Sequence, residues 1–438
     1  MSTTLNPLAI ELNEVLDACL AGQFLSSLGR RIFFPKGIIA QAAEAKKTAK
    51  VNATLGMAFK GGKPLILSAL QKQFPGLPPE DIVPYAPTAG IESFRKAWKA
   101  SLLRKNPLLK EEDFSLPVVV PGITAGISLV ADLFLGEGQT MLAADPSWDN
   151  YSLIFIERRN AVLKGIPLFT GASEKAQGLN LEAFEKAIKT EAASGLVRII
   201  LNFPQNPSGY TPLKTEADAL VSMIKECADE GTPVLAICDD AYFGLFYDEG
   251  IIKESLFGRL TKLHEKVLAV KIDGPTKEDY VWGLRTAFIS FASKGLNENT
   301  FAALEKKVMG LIRSSVSCSN TPAQNLAPKI WEDSGTAEDK KAFFALLCRR
   351  YQAVKQFIAE NPAPPALEPF PFNSGYFMSF RCKNGNAPGG AEKLRQALLK
   401  KGIGTIALGD EYLRVTFAAI EEEEIPAVYR TIYETAAE

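Results

Sequence analysis

The chain has 438 residues, with 49 Lys and Arg against 50 Asp and Glu, and a single histidine. This length exceeds what one hydrophobic core usually fills, so we expect two or three domains. The net charge of −1 lacks the basic excess that is typical of proteins binding nucleic acids or anionic membranes, and we predict neither partner. His264 alone cannot supply a two-histidine metal site, so we predict no metal centre.

The N-terminal segment and the cysteines indicate a cytoplasmic protein. The first residues lack a basic segment and include Glu11, Glu14 and Asp17, which argues against a signal peptide. No apolar run approaches the roughly 20 residues that a membrane span needs. The cysteines are scattered without a CxxC pair, which predicts buried thiols in a reducing compartment at positions Cys19, Cys227, Cys238, Cys318, Cys348 and Cys382.

Short apolar runs alternate with helical patterns through the middle of the chain. Helix-like stretches such as 214-KTEADALVSMIKECADEG separate runs that have the length of strands. Buried strands separated by helices predict an α/β fold with a doubly wound, mostly parallel sheet. The predicted strands lie in 117-PVVV, 140-TMLAA, 197-VRIILNF, 233-PVLAIC, 266-KVLAVKI and 287-AFISFA.

The pattern changes after Trp331. A long helical pattern, 340-KKAFFALLCRRYQAVKQFIAE, ends in a proline cluster, and two strand patterns then flank a helical one. These predict a smaller α+β domain, with strands in 375-GYFMSF and 413-LRVTFA and a helix in 391-AEKLRQALLKKG. The acidic run Glu421–Glu424 predicts a solvated helix start.

The residues that follow each predicted strand are the candidates for a binding site, because ligands of open α/β sheets bind beyond the carboxyl ends of the strands. Taken alone, each candidate has an ordinary explanation as a turn, a core aromatic residue or a surface lysine. They are Thr124 in a small-residue turn, Trp148 in 145-DPSWDN, Asn206 in 204-PQNPSG, Asp239 and Asp240 before Tyr242, and Lys277 and Arg285 in 274-GPTKEDYVWGLR.

Each candidate also has a chemical use. A small-residue turn at a helix start can bind phosphate, because free N–H groups and the helix dipole face it. Two adjacent carboxylates at the end of a buried strand need partners, because ionised groups are costly to bury unpaired. A lysine in a desolvated or cationic setting can form a Schiff base with a carbonyl group.

The order of these motifs is more specific than any one of them. With Arg414 in 412-YLRVTFA, the succession resembles the class I/II aminotransferases, the fold type I pyridoxal-phosphate enzymes, and is most similar to the aspartate/aromatic aminotransferase branch. The resemblance extends from about Asn52 to Phe417. It implies a large cofactor-binding domain over residues 62–335 and a small domain over 336–438, with residues 1–61 forming an N-terminal arm and part of the small domain.

The resemblance implies a role for each residue around the cofactor ring. Lys277 would hold pyridoxal phosphate as a Schiff base and would carry the proton once the substrate amine displaces it, a task that then needs no histidine. Asp239 would pair with the pyridine nitrogen. Tyr242 and Asn206 would hydrogen-bond the phenolic oxygen of the ring, and Trp148 would stack on its face.

The resemblance likewise implies a phosphate site. Thr124, the backbone around Ile123, and Arg285 would bind the phosphate, for which the guanidinium fork is well suited. Tyr85, in 85-YAPTAGIESF, matches a tyrosine that reaches the phosphate of a neighbouring subunit, which implies a homodimer with shared active sites.

The chain departs from the family pattern near the lysine and near Trp148. Many relatives carry serine at the position of Gly274, so one phosphate hydroxyl is expected to be missing, with Thr276 as a candidate substitute. Tyr151 occupies the place where aspartate aminotransferases tend to carry histidine, so that contact is expected to differ.

For the substrate, the resemblance implies that Arg414 binds the α-carboxylate beside Asn206 and Trp148. Arg313, in 311-LIRSSVSCSN, is the candidate for binding a side-chain carboxylate across a dimer, and a helix-end or core-supporting role is equally open. His264 is predicted to be a surface or cap residue.

The predicted activity is transfer of an amino group from an amino acid of aspartate, glutamate or aromatic type to a 2-oxo acid, by a ping-pong mechanism. The alternatives on the same residues are a pyridoxal-phosphate-dependent β-lyase and an amino-acid decarboxylase. A non-catalytic sensing domain is disfavoured, because Lys277, Asp239 and Arg414 occur together and no basic N-terminal DNA-binding segment is present.

Overall fold

The computed structural model describes residues 5–18, 25–33, 37–170, 178–383 and 390–438. The helices in these ranges are α1 (Pro7–Asp17), α2 (Ser27–Arg31), α3 (Ile38–Thr48), α4 (Ser68–Gln73), α5 (Pro79–Ile82), α6 (Glu92–Lys105), α7 (Ile123–Phe134), α8 (Leu181–Ala192), α9 (Lys214–Asp229), α10 (Leu256–Leu260), α11 (Pro275–Glu278), α12 (Glu298–Arg313), α13 (Thr321–Glu332), α14 (Ser334–Glu360), α15 (Gly390–Lys400) and α16 (Ile425–Ala437). The strands are β1 (Val51–Asn52), β2 (Phe59–Lys60), β3 (Lys63–Pro64), β4 (Val118–Val120), β5 (Thr140–Asp145), β6 (Val162–Pro167), β7 (Val197–Asn202), β8 (Val234–Asp239), β9 (Val267–Asp273), β10 (Ala287–Ala292), β11 (Leu367–Pro369), β12 (Phe377–Cys382), β13 (Ile403–Gly404), β14 (Ile406–Leu408) and β15 (Tyr412–Thr416).

A seven-stranded sheet in the order β4-β10-β9-β8-β7-β5-β6 forms the centre of the molecule. Neighbouring strands are parallel except where β10 pairs with β4 and β9, so the predicted α/β class with a mostly parallel sheet is confirmed. All six predicted strands are present. The edge strand β6 was missed, because its sequence VLKGIP is largely solvent-facing and has no continuous apolar run.

Both faces of this sheet are covered, which explains why its strands read as continuous apolar runs. Along β8, Leu235 and Ile237 pack into the apolar cluster on one face. Val234, Ala236 and Cys238 pack into the cluster on the other face. Successive side chains of a strand point to opposite faces, so a strand buried on both sides is apolar at every position.

A second sheet lies in the C-terminal part and is antiparallel, in the order β11-β12-β15-β14. Its two long strands are those predicted from 375-GYFMSF and 413-LRVTFA, and Ser379 of β12 faces Arg414 of β15 in the register. The acidic run Glu421–Glu424 precedes α16, as predicted; Glu422–Glu424 form a 3₁₀ turn.

The loop after β7 joins the two sheets. Gly209 has φ of +75°, and a Cβ there would lie 2.0 Å from the backbone oxygen of Phe377, so only glycine permits this approach. The Ser379 hydroxyl donates to the Pro207 carbonyl at 2.8 Å. Because this loop carries Asn206, its contact with β12 brings the first sheet's strand ends against the second sheet.

The described cysteines are free thiols. Cys227 and Cys238 are buried, as expected, whereas Cys318, Cys348 and Cys382 are only half-buried, so the prediction of burial is wrong for these three. Cys19 lies outside the described residues. No helix within the described ranges is long and apolar enough to cross a membrane.

Candidate active site

A cavity of about 240 Å³ opens at the carboxyl ends of the parallel strands, between the two sheets. Parallel strands end at the same edge, so residues far apart in sequence converge there. Eight of the predicted site residues line this cavity: Ile123, Thr124, Trp148, Asn206, Asp239, Tyr242, Lys277 and Arg414. Four further residues complete the lining, and sequence reasoning had not singled them out: Ile38, Gly56, Asn202 and Ala241.

Lys277 lies in the short helix α11, directly after β9. Its Nζ is 4.9 Å from the centre of the Tyr242 ring, and the described residues offer that Nζ no hydrogen-bond or ion-pair partner. Burial lowers the pKa of Lys277 to about 8; nearby Asp239 opposes this shift and Arg285 adds to it. A neutral amine is the nucleophilic form, so the site favours Schiff-base chemistry.

The backbone around Lys277 is held from both sides. The Tyr376 hydroxyl donates to the Lys277 carbonyl at 3.1 Å. A Cβ at Gly274 would lie 2.9 Å from both the Ala287 Cα and the Thr286 carbonyl oxygen. This close approach explains the missing serine, because a larger residue at Gly274 would displace β10.

Asp239 ends β8 and lines the cavity, and its Oδ1 accepts a hydrogen bond from the Ala241 backbone N–H at 3.2 Å. Its Oδ2 accepts a hydrogen bond from the Tyr151 hydroxyl at 2.6 Å, and the Asn202 amide donates to its backbone carbonyl at 2.8 Å. Burial raises the pKa of Asp239 to about 6, although the Tyr151 bond and Lys277 lower it. The carboxylate is therefore ionised at neutral pH and oriented toward whatever cationic group enters the cavity.

Tyr151 is the residue predicted to stand where aspartate aminotransferases tend to carry histidine. It is buried, and its ring meets Trp148 edge to face at 5.6 Å. Its hydroxyl supplies the donor that an imidazole N–H would supply, so the altered contact expected from the sequence is a change of donor rather than a loss. The signal for this role is its position three residues after Trp148, on the same turn.

The end of the cavity near α7 has the chemistry of an anion site. Ile123 and Thr124 form the first turn of α7, whose free N–H groups face the cavity. Gly122 has φ of +94°, and a Cβ there would lie 2.4 Å from an Nη atom of Arg285. The guanidinium group therefore rests against the glycine, beside the helix N-terminus.

Arg414 lies on β15 and approaches the cavity from the second sheet. Its Nη1 donates to the Asn206 side chain at 3.2 Å and its Nη2 to the Thr54 carbonyl at 2.9 Å, with the Phe377 ring 4.4 Å below. Its buried Nε has no partner, and within the described ranges no carboxylate forms an ion pair with it. A buried guanidinium with an unmet donor is suited to a carboxylate ligand.

Five predicted residues do not line this cavity in the chain, and one of them, the exposed Arg285, rests against Gly122 as described above. Tyr85 is 90% exposed, and the exposed Arg313 donates to the Ser317 hydroxyl at the end of α12. The Thr276 hydroxyl is buried and donates to the Thr286 carbonyl at 3.4 Å, and Thr276 does not line the cavity, so its suggested replacement of the serine stays a prediction. Gly274 packs closely against Thr286 and Ala287 and does not line the cavity.

His264 lies in the turn before β9, far along the sheet from the cavity residues. Its Nδ1 accepts from the Lys266 backbone N–H at 2.9 Å, and its Nε2 is 3.6 Å from Asp229. This is the cap position that the sequence suggested.

The residues fit pyridoxal phosphate. An unpartnered lysine of lowered pKa suits the aldehyde, and Asp239 suits a protonated pyridine nitrogen. The Arg285 guanidinium group, which lies against Gly122, and the first turn of α7 suit the phosphate. Trp148 offers an aromatic face. Together with a mostly parallel sheet and an antiparallel companion, this set defines a fold type I pyridoxal-phosphate enzyme.

Comparison with known proteins leads to the same class. The family model of aminotransferase class I and II matches residues 66–432, so the chain belongs to this family. A protein described as a probable aspartate/prephenate aminotransferase from Aquifex aeolicus is 23% identical over 355 residues, which is 79% of this chain and 82% of the relative. The aspartate aminotransferase of Sulfurisphaera tokodaii is 23% identical over 361 residues, covering 78% and 80%.

Solved structures share the fold. An aminotransferase from Anaerococcus prevotii superposes with a TM-score of 0.79 at 22% identity, covering 92% of this chain and 97% of that one. The kynurenine aminotransferase of Pyrococcus horikoshii superposes with a TM-score of 0.76 at 15% identity, covering 96% and 98%. The chain is a pyridoxal-phosphate-dependent transaminase, acting on an amino acid and a 2-oxo acid.

Proposed function

We propose that the amino donor is of aspartate, glutamate or aromatic type, and that the enzyme is a cytoplasmic homodimer. The single observation that carries the activity is an unpartnered lysine and an arginine with an unmet donor in one small cavity. One group is ready to react with a carbonyl or to move a proton, and the other to bind a carboxylate. The names of the relatives from Aquifex and Sulfurisphaera support the aspartate side of this proposal.

In the proposed mechanism, Arg414 binds the substrate α-carboxylate. The carboxylate then accepts a hydrogen bond from the Arg414 Nε and forms a charged pair with the guanidinium group. Asn206, which already accepts from Arg414, keeps the guanidinium oriented. Holding the carboxylate fixes the substrate Cα relative to Lys277, and such positioning lowers the barrier by removing rotational freedom.

Lys277 then acts as the base and acid of the reaction. With its pKa near 8, its amine is partly neutral at pH 7 and could take the proton from the substrate Cα and deliver it to the former aldehyde carbon that the cofactor would supply. Pyridoxal phosphate, when bound, supplies an electron-withdrawing ring that accepts the electron pair left by that proton. Asp239 would stabilise positive charge at the ring nitrogen, and Tyr151, whose hydroxyl donates to Asp239, would hold that carboxylate in place.

The homodimer is supported by exposed apolar surface between α4 and α6. Val83 is 78% exposed and Tyr85 is 90% exposed, with Phe74 and Ile82 also exposed nearby. Large exposed apolar side chains close together mark interaction surfaces. Tyr85 and Arg313 both lie outside the chain's own cavity, so we propose that they serve the cavity of a second copy.

We further propose that the two sheets belong to two domains. The seven-stranded sheet would lie in a large domain over residues 62–335, and the antiparallel sheet in a small domain over 336–438. Residues 1–61 would form an arm and complete the small domain, since β1 pairs with β13. The substrate would then bind where the two domains meet.

The decisive experiment is a half-reaction with one amino acid at a time and no acceptor. We expect stoichiometric release of the matching 2-oxo acid and conversion of the bound cofactor to its amine form, followed by absorbance. Aspartate, glutamate, phenylalanine and tyrosine should be the better donors. Release of pyruvate with ammonia would instead indicate a β-lyase, and release of CO₂ a decarboxylase.

Arg313 and the dimer are tested together. Arg313→Gln should reduce turnover of aspartate and glutamate far more than that of phenylalanine, while Arg349→Gln, which removes another exposed arginine, should change neither. Sedimentation equilibrium should give twice the chain mass of 47.6 kDa. Equal effects of Arg313→Gln on all donors, or a monomeric active enzyme, would contradict these parts of the proposal.

A further inference from the structure

A second cavity, here called the basal cavity, lies at the opposite edge of the seven-stranded sheet. Its volume is about 510 Å³, and its walls include Phe134 at the end of α7, Val234 at the start of β8, and Leu268 near the start of β9. Pockets that bind small organic molecules measure roughly 300–1,000 Å³. Asp239 ends the strand that Val234 begins, so the two cavities are about 17 Å apart along β8.

The walls of the basal cavity are apolar with a cationic excess. Leu196 and Leu268 contribute apolar surface, whereas Arg159, Arg198 and Lys266 contribute positive charge against a single carboxylate, Asp132. That carboxylate already pairs with Arg158 at 3.2 Å and with Arg159 at 3.3 Å. The net charge that faces the cavity is therefore positive and is carried by the remaining cations.

Arg198 is the cation whose charge is left without a counterpart. Its Nε donates to the Phe134 carbonyl at 2.7 Å, which fixes the plane of the guanidinium group at the end of α7. Among the described residues, none accepts a hydrogen bond from its two Nη atoms and no carboxylate forms an ion pair with it. Burial lowers the pKa of Arg198 without an opposing charge, so a bound anion would be favoured there.

Lys266 is better satisfied than Arg198. Its Nζ donates to the Gly231 carbonyl at 2.8 Å, which holds the ammonium group at the rim of the cavity. It adds positive potential there, but as a point charge it does not present a planar fork. The bidentate geometry that suits a carboxylate belongs to Arg198.

We propose that the basal cavity binds a small organic monocarboxylate with an apolar body, its carboxylate paired with Arg198 and its body packed on Phe134, Leu196 and Leu268. The apolar walls exclude inorganic anions as the best ligands, since these would leave the apolar surface uncovered. The unpaired guanidinium group disfavours uncharged apolar molecules, since these would leave it desolvated and unpaired. This site does not depend on the proposed donor specificity.

The test is titration calorimetry of the holoenzyme with 4-phenylbutyrate, with 4-phenylbutanol as the matched uncharged probe. We expect saturable binding of the acid, and at least about tenfold weaker binding of the alcohol because the charged pair is lost. Arg198→Met should weaken binding of the acid by a similar factor. Leu196→Trp, which fills the cavity from its half-exposed rim, should abolish it.

Two controls locate the binding. Arg349→Met should bind the acid as the unmodified protein does, because Arg349 lies on the surface of α14. Arg414→Leu removes the carboxylate site of the other cavity, so any binding of the probe there should be lost while the binding that depends on Arg198 persists. If Arg198→Met does not fold, as judged by circular dichroism, Arg198→Lys and Leu196→Trp provide the test instead. Binding of the acid should be weakened in Arg198→Lys and abolished in Leu196→Trp.

The proposal is overturned by any of three results. The first is the absence of saturable binding of 4-phenylbutyrate at millimolar concentration. The second is equal binding of the acid by the unmodified protein and by the folded Arg198 and Leu196 variants. The third is loss of binding in Arg414→Leu alone, which would assign the probe to the catalytic cavity.

Discussion

Lys271 and Lys277 lie in neighbouring parts of one segment, and both are held away from bulk water, yet their surroundings are opposite. Lys271 lies within β9 and forms ion pairs with Asp240 and Asp273. Lys277 lies one turn beyond the strand, faces the cavity, and has no ion-pair partner among the described residues. Burial disfavours the charge of both, but the two carboxylates outweigh it at Lys271 and raise the pKa of that lysine.

The cluster around Lys271 is fully connected. The Ser255 hydroxyl donates to Asp240 at 2.6 Å, and the Trp98 indole N–H donates to Asp273 at 3.1 Å. This answers the question that two adjacent carboxylates raised in the sequence: Asp240 belongs to a structural cluster, and Asp239 to the cavity. A buried charge with partners supports the fold, whereas one without them is available for chemistry.

The largest expected effect that separates the two lysines is on catalysis. Lys277→Ala should reduce transamination by about 10⁴-fold, because both the nucleophile and the proton carrier are lost. Its thermal stability should stay unchanged or rise, since an unpartnered buried amine is removed. Activity assays with differential scanning fluorimetry test this, with Lys277→Arg as the control that keeps the charge and should be equally inactive. Turnover of Lys277→Ala at the unmodified rate would end the assignment.

Lys271→Met should show the reverse pattern. Removing the ammonium group leaves Asp240 and Asp273 as buried charges without a cation, which costs about 3–5 kcal/mol of unfolding free energy. Denaturant unfolding measures this cost. Lys253→Met, which removes an exposed lysine paired with Glu249, is the control and should cost less than about 1 kcal/mol. A stable but inactive Lys271→Met would reverse the comparison.

The pH dependence of cofactor uptake sharpens the contrast. With the Lys277 pKa near 8, the neutral amine is scarce below pH 8 and dominant above it. The rate of pyridoxal phosphate uptake by the apoenzyme should therefore rise about tenfold per pH unit well below pH 8 and level off above it. Stopped-flow absorbance measures this. Because Asp239 raises the pKa of Lys277, Asp239→Asn should move the midpoint to lower pH; a midpoint near the ordinary lysine value of 10.5 would contradict the assignment.

The smallest expected effect concerns Tyr151 as a positioning residue for Asp239. Tyr151→Phe removes the bond that lowers the Asp239 pKa, so this pKa should rise above about 6. Cofactor affinity should fall about tenfold. The loss should be greater at pH 6 than at pH 8, because a larger share of Asp239 is neutral at pH 6. Equilibrium titrations across this range measure the change.

Two further variants make the Tyr151 result specific. Tyr151→His supplies another N–H donor and should restore most of the affinity. Tyr429→Phe removes a buried hydroxyl to which the described residues offer no hydrogen-bond partner, and because it does not line the cavity it should have no effect. Equal, pH-independent losses in Tyr151→Phe and Tyr151→His would indicate a packing role only.

Much of this site could be predicted because it is built from strand ends. A continuous apolar run predicts a strand buried on both faces, and the polar residue that ends it then lies at the edge where ligands bind. Asn206, Asp239 and Lys277 were identified in this way. Asn202 was missed although it ends β7, because it reads as part of the strand itself.

Contacts between distant segments could not be predicted. Tyr376 holds the Lys277 backbone from 99 residues away, and Arg414 meets Asn206 across 208 residues. Such contacts depend on how the second sheet docks on the first, which no local pattern records. The same applies to Gly274, whose necessity comes from the β10 backbone against it.

The sequence by itself predicted the class of fold from its apolar periodicity, and the order of its motifs, through their resemblance to a family, indicated the residues proposed for the site. The tertiary structure alone decided that Lys271 is paired with two carboxylates, and that the described residues leave Lys277 without an ion-pair partner. It also decided that Tyr85 and Arg313 do not line the cavity, and that the described residues leave Arg198, at the opposite edge of the sheet, without an ion-pair partner. The physical reason is that a pKa or a binding preference depends on distances between side chains, and only folding sets those distances.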